Sequence, residues 1–74
     1  EQFQSGSPVD RSLLQAGDLV FFSTLGPGPT HVGIVTDPAA DEFVHAPADG
    51  SRVRIDSLNG SYWRARWVGA RRVF

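Results

Sequence analysis

The 74-residue chain contains no cysteine and no methionine, and its longest apolar run is the four residues Leu19–Phe22. Without cysteine, the chain can form no disulfide and provides no thiol for catalysis or for metal binding. Its apolar runs are far too short to span a membrane as a helix. The hydrophobic fraction of 41% and the charged fraction of 20% are nevertheless typical of a globular chain. The composition therefore predicts one small folded domain with no membrane span.

Acidic residues are missing from the C-terminal part of the chain. Residues 57–74 contain four arginines and no acid, whereas residues 1–56 contain three arginines and eight acids. A basic end of this kind either binds a polyanion or is the solvated face of a terminal strand. The net charge of −1, and the lack of a basic stripe that alternates with stacking aromatics, disfavour nucleic-acid binding. We expect no nucleic-acid partner.

Five short apolar segments, separated by turns rich in glycine, proline and aspartate, predict a mainly β fold. Their spacing is typical of an antiparallel five-stranded meander or a partial barrel. Residues 1–13 form a polar leading segment, in which Asp10 begins a single helical turn. The predicted strands are 18–23, 31–36, 42–46, 52–56 and 63–74.

Two of these strands carry further predictions. The alternation of residues 52–56 places Val53 and Ile55 in the core. Asp56 or Ser57 then caps a short turn, and Gly69 indicates a bulge in the last strand. No helix of useful length is expected.

The two histidines, His31 and His45, are the residues best suited to chemistry. Each lies in a predicted strand, and pairing of these strands through the short turn between them would place both rings on one face. Imidazole titrates near neutrality and can act as both base and acid in one cycle. Gly33 shares the face of His31, and its missing side chain would let a substrate or partner backbone approach closely.

Three interpretations of the histidine pair remain open from the residues alone. A histidine on a strand is most often a hydrogen-bonded structural residue. The pair could instead hold zinc together with Asp37 or Asp49, although the spacing fits no common ligand pattern. It could also be a catalytic base with its orienting partner, which requires a nucleophile that this chain does not contain.

Several short motifs, in register along the chain, resemble the NlpC-type family of cell-wall cysteine peptidases. Each motif is weak alone, but their common order over residues 8–74 is specific. The matching segments are Leu14–Phe22 with the family's "PGDLVFF", His31–Val35 with "HVGIY", Phe43–Pro47 with "FIHAP", and the closing segments Val53–Ile55, Tyr62–Trp63 and Gly69–Val73.

The resemblance implies that residues 1–74 are a partial peptidase domain, with residues 14–74 as the sheet portion of a papain-like α+β fold. It implies catalytic roles for His31 as general base and His45 as its orienting partner, with no metal or cofactor. The family's cysteine lies in a "(D/N)C(S/A)G" motif ahead of the matched region. We therefore expect this chain to be a piece of a longer protein that lacks the helical, cysteine-bearing half.

The resemblance also implies the substrate and the location. The family hydrolyses stem-peptide amide bonds of bacterial peptidoglycan, so the protein would be secreted or lie in the cell wall or periplasm. Without the thiol, the chain alone is expected to be inactive. The alternative is a non-catalytic module that binds wall peptides or a protein partner.

Overall fold

Six antiparallel strands form one open sheet in the described part of the chain. The computed structural model describes residues 6–24, 26, 28, 30–46 and 52–73. The strands are β1 (Ser7–Pro8), β2 (Leu19–Phe22), β3 (His31–Asp37), β4 (Glu42–His45), β5 (Arg54–Ser57) and β6 (Trp67–Arg72). One α-helix, α1 (Ser61–Arg66), precedes β6, and short 3-10 turns occupy Arg11–Leu13 and Pro38–Ala40.

The strand order is β1-β6-β2-β3-β4-β5. The prediction of a mainly β, antiparallel architecture is confirmed, and β2 to β5 form the expected meander. The described sheet differs from the prediction by one strand, because Ser7–Pro8 in the leading segment pairs with Arg71 and Arg72. The last strand also returns to lie between β1 and β2, a long-range pairing that local patterns do not specify.

The prediction that the last strand starts at residue 63 is wrong, because Ser61–Arg66 forms α1. A helix of six residues has little stability of its own and depends on tertiary packing. Trp63 provides that packing, since its ring centroid lies 4.8 Å from that of Phe22 and 5.3 Å from that of Phe43. The predicted bulge is present: Phe21 pairs with Gly69 and Phe22 with Trp67, which leaves Val68 as the extra residue.

The core lies on the face of the sheet that α1 covers. Its buried members come from alternate positions of the strands and from the turn before α1: Val20, Phe22, Val35, Phe43, Leu58 and Ala70. Partly buried side chains close its margin: Val9, Leu14, Trp63 and Trp67.

The turn after Asp10 forms at Arg11–Leu13, but the Asp10 side chain makes no capping hydrogen bond.

The assignment of Val53 and Ile55 to the core is wrong. Their exposed fractions are 65% and 62%. Strand β5 is an edge strand of the described sheet, and its register places Asp56 opposite Phe43 and Ile55 opposite Val44. The strand therefore alternates as predicted, but the residue that faces the core side is Asp56.

Gly33 does not offer the open approach expected from its sequence. A Cβ atom at this position would lie 2.5 Å from Phe43 Cδ2 and 3.1 Å from the carbonyl oxygen of Val44. The ring of Phe43 thus fills the space that the missing side chain leaves, and Gly33 serves packing between β3 and β4.

An ion pair between a buried carboxylate and a partly exposed arginine joins the start of β2 to the end of β6. Asp18 is 1% exposed and accepts hydrogen bonds from Arg72 Nε and Nη2, both at 2.9 Å, and from the Gln15 amide at 2.9 Å. The bidentate hydrogen bonds from Arg72 hold the pKa of the Asp18 carboxyl below its usual value. Since Asp18 precedes β2 and Arg72 ends β6, the pair ties these neighbouring strands to the loop before β2.

None of the helices in the described residues is long and apolar enough to cross a membrane.

We predict that Arg72→Met lowers the free energy of unfolding, because it leaves the Asp18 carboxylate buried without its cation. Urea unfolding at neutral pH measures this change. Arg64→Met, which removes an exposed arginine from α1, is the matched control and should shift stability by less than about 0.5 kcal/mol. Equal effects of the two substitutions would contradict the role given to the ion pair.

We also predict that Gly33→Ala destabilises the fold by about 1–3 kcal/mol, because the new methyl group overlaps the Phe43 ring. Thermal unfolding of the variant measures the loss. The double variant Gly33→Ala with Phe43→Leu should lose less than the sum of the two single losses. Additive losses would show that the Phe43 ring is not the obstacle.

Candidate active site

The two histidines lie side by side on the core face of the sheet. His31 Nε2 and His45 Nδ1 are 2.9 Å apart, a hydrogen-bond distance, and the ring centroids are 5.0 Å apart. His31 begins β3 and His45 ends β4, and the antiparallel pairing of these strands brings the two ends together. The structure therefore unites the two site residues that the sequence predicted.

A third polar residue extends the pair. His45 Nε2 lies 2.6 Å from Asp56 Oδ2, so the imidazole N–H donates to the carboxylate. Asp56 on β5 pairs directly with Phe43 on β4. Phe43 is two residues before His45, so Phe43, His45 and Asp56 lie on the same face of the sheet. The result is a continuous chain of hydrogen bonds from His31 through His45 to Asp56.

Aromatic side chains surround both imidazole rings. Trp63 stacks on His31 at 5.6 Å between centroids with an interplanar angle of 25°, and it meets His45 edge-on at 4.8 Å. Phe43 stacks on the other histidine, His45, at 4.9 Å and 25°. His45 is 5% exposed, whereas His31 is only partly buried. The rings are thus held in fixed planes, and His31 is the member of the pair that solvent or another group can reach.

Burial changes the chemistry of His31. Desolvation by its surroundings, and to a lesser extent repulsion from a charge on His45, lower the pKa of His31 below 6.5. The neutral imidazole, which is the form that accepts a proton, is therefore favoured at neutral pH.

The zinc interpretation receives no support from the described residues. Asp37 lies at the other end of β3 from His31 and accepts a hydrogen bond from the Ala40 amide, while Asp49 lies outside the described residues. No cluster of three histidine, cysteine, aspartate or glutamate side chains that could hold a metal occurs in the part of the chain that is described.

Sequence reasoning missed two contributors to the site. Asp56 was interpreted as a helix cap, and Trp63 as the first residue of a strand. The alternation of residues 52–56 already places Asp56 on the face opposite to that of Val53 and Ile55. Which of the two faces meets the core depends on the β4–β5 register, and the sequence alone does not specify that register.

Comparison with known proteins places the chain in a family. The sequence model of the NlpC/P60 family matches residues 1–72. The chain is 42% identical over 71 residues to murein DD-endopeptidase MepH of Escherichia coli, covering 95% of this chain and 26% of that protein. It is 45% identical over 73 residues to murein DD-endopeptidase MepS/murein LD-carboxypeptidase of Escherichia coli, covering 99% of this chain and 37% of that protein.

A solved structure agrees with these relatives. The crystal structure of an NlpC/P60 family protein from Bacillus cereus superposes with a TM-score of 0.83 at 34% identity, covering 97% of this chain and 24% of that protein. The chain thus spans between about a quarter and two fifths of the length of these proteins. Because the family's sequence model matches nearly the whole chain and the chain has the fold of a solved member, this chain belongs to the NlpC/P60 family.

Proposed function

We propose that this chain is the histidine-bearing part of a bacterial peptidoglycan endopeptidase that cleaves amide bonds of the stem peptides by cysteine catalysis. The observation that supports it best is the hydrogen bond of 2.9 Å between His31 and His45, in a chain that belongs to a family with murein endopeptidases among its members. A partly accessible imidazole held by a second, buried imidazole is the arrangement that a general base and its orienting partner require.

In this proposal His31 is the general base and His45 fixes its orientation. Since Nε2 of His31 is engaged with His45, Nδ1 is the nitrogen that accepts the proton of the nucleophile and later returns it to the leaving amine. Stacking of Trp63 on His31 restricts rotation of the imidazole ring and so keeps its Nδ1 atom in place.

The nucleophile has to come from outside this chain, because none of the 74 residues is cysteine. We propose that a helical segment elsewhere in the same protein, or in another chain, brings a thiol next to His31. A thiol near an imidazole at a helix N-terminus has a lowered pKa and is therefore reactive. The chain by itself is inactive in this proposal, since water is a poor nucleophile toward an unactivated amide and no oxyanion site accompanies it. Its place of action is the cell wall or periplasm, where stem peptides occur.

The test is peptide release from purified peptidoglycan. The 74-residue chain should release none, whereas a longer protein that combines it with the proposed thiol-bearing segment should release peptides. In the longer protein His31→Ala should lower kcat at least about a hundredfold, the usual contribution of a general base.

Thr36→Ala is the matched control for that experiment, because Thr36 is exposed and lies toward the far end of the same strand. It should leave release unchanged. Peptide release by the 74-residue chain would contradict the proposed need for an external thiol. Binding of wall peptides without cleavage by the longer protein would favour the non-catalytic module instead.

The lowered pKa of His31 gives a second expectation. In an NMR titration of the histidine ring protons, His31 should titrate below the ordinary midpoint of 6.5, because its charged form is poorly solvated. The other ionisable side chains in the hydrogen-bonded chain are His45 and Asp56. The His31→Gln variant assigns the resonance, and a midpoint at or above 6.5 would contradict the expectation.

The same shift has a defined effect on stability. The unfolded chain binds a proton at His31 more readily than the folded chain does, so the free energy of unfolding falls as the pH drops below 6.5 and levels off below the folded pKa. Urea unfolding at neutral and at mildly acidic pH measures this loss. It should be smaller in His31→Gln than in the unsubstituted chain.

A further inference from the structure

Asp56 closes the hydrogen-bonded chain of the site. Among the described residues it is the one carboxylate bonded to either histidine, at 2.6 Å from His45 Nε2. The side chains of His45 and Asp56 are 2% and 24% exposed, so water competes little for this contact. A charge-assisted hydrogen bond of this length is strong and keeps Nε2 of His45 directed at the carboxylate.

The Asp56 carboxylate, at the end of the hydrogen-bonded chain, determines which nitrogen of each histidine carries the proton. A carboxylate only accepts, so the proton of this bond resides on His45 Nε2. When His45 is neutral, its Nδ1 then carries a lone pair and accepts from Nε2–H of His31. That assignment leaves the lone pair of neutral His31 on Nδ1, the atom that a nucleophile's proton would reach.

Removal of the carboxylate makes the opposite arrangement possible. His45 could then carry its proton on Nδ1 and donate to His31 Nε2. His31 would in turn hold its proton on Nδ1, which could no longer accept one. The two arrangements have the same heavy-atom positions and opposite competence for base catalysis.

We propose that Asp56 is a positioning residue that sets the tautomers of both histidines, and thereby keeps Nδ1 of His31 free to act as the base. This inference rests on the proposed function in that it assigns the use of the Nδ1 lone pair. The tautomers themselves are properties of the 74-residue chain and do not require activity.

Arg54 provides the matched control. Its Nη2 atom lies 3.6 Å from Asp56 Oδ1, its side chain is 61% exposed, and it stands on the same strand. It contacts the carboxylate oxygen that does not face His45. Arg54→Ala therefore removes a charge beside Asp56 while the bond to His45 remains.

The experiment is a long-range ¹H–¹⁵N correlation spectrum of the histidine rings in the 74-residue chain, recorded where both rings are neutral. In the unsubstituted chain and in Arg54→Ala, both histidines should be Nε2–H tautomers. In Asp56→Ala, His31 should become a mixture that includes the Nδ1–H form, although it does not touch Asp56. Amide chemical-shift dispersion shows whether each variant keeps the sheet, and Asp56→Leu, which has a similar branched shape but no hydrogen-bond acceptor, replaces Asp56→Ala if that variant unfolds.

Two results would overturn the proposal: an Nδ1–H tautomer of His31 in the unsubstituted chain, or an unchanged His31 tautomer in a folded Asp56 variant. The second result would reduce Asp56 to a link between β4 and β5 that affects stability alone.

A kinetic readout separates this inference from the proposed function. In the longer, thiol-bearing protein, Asp56→Leu should lower kcat by about tenfold or more with KM little changed, because part of the contribution of the general base is lost. Absence of peptide release by the unsubstituted longer protein would reject the proposed function, while the NMR result would still decide the role of Asp56.

Discussion

The register of three consecutive strands is the constraint on which the site depends. His31, His45 and Asp56 belong to β3, β4 and β5, and a slip of one residue in either pairing would turn one of them to the opposite face of the sheet. The β3–β4 connection sets the first register. Asp37 accepts a hydrogen bond from Ala40 within its 3-10 turn, and Asp41 ends that turn with a left-handed φ of 57°. This tight connection returns β4 along β3 so that the two imidazoles meet.

Packing and chemistry share the same side chains in this small molecule. Phe43 is a fully buried core residue that fills the space beside Gly33 and also stacks on His45. Trp63 anchors the short helix α1 to the core and also covers His31. The aromatic packing that holds the sheet and helix together is therefore what desolvates His31 and lowers its pKa. A substitution in this cluster would change stability and proton affinity together.

The sequence pattern placed the two histidines on neighbouring strands correctly, whereas it missed the start of the last strand and the inward face of β5. Alternation in β3 and β4, together with pairing through the short turn between them, placed His31 and His45 on one face, because side chains in a strand have a period of two. The same rule could not say which face of β5 meets the core, since Val53 and Ile55 are as apolar as core residues although they are exposed. Asp56 was misassigned for this reason. Helix α1 was missed because its six residues owe their conformation to contacts of Trp63 rather than to a local pattern.

Residues in contact within the site are closer in sequence than the residues whose ion pair links β2 to β6. His31 and His45 are 14 residues apart and His45 and Asp56 are 11 apart, whereas Asp18 and Arg72 are 54 apart. Closing a short loop costs less chain entropy than closing a long one. The hydrogen-bonded chain of the site can therefore form within successive hairpins, before the ends of the chain are joined by β6. In the proposed enzyme the base is already oriented by its own hairpins, so the sheet sets the geometry of proton transfer, while the thiol comes from a segment outside this chain.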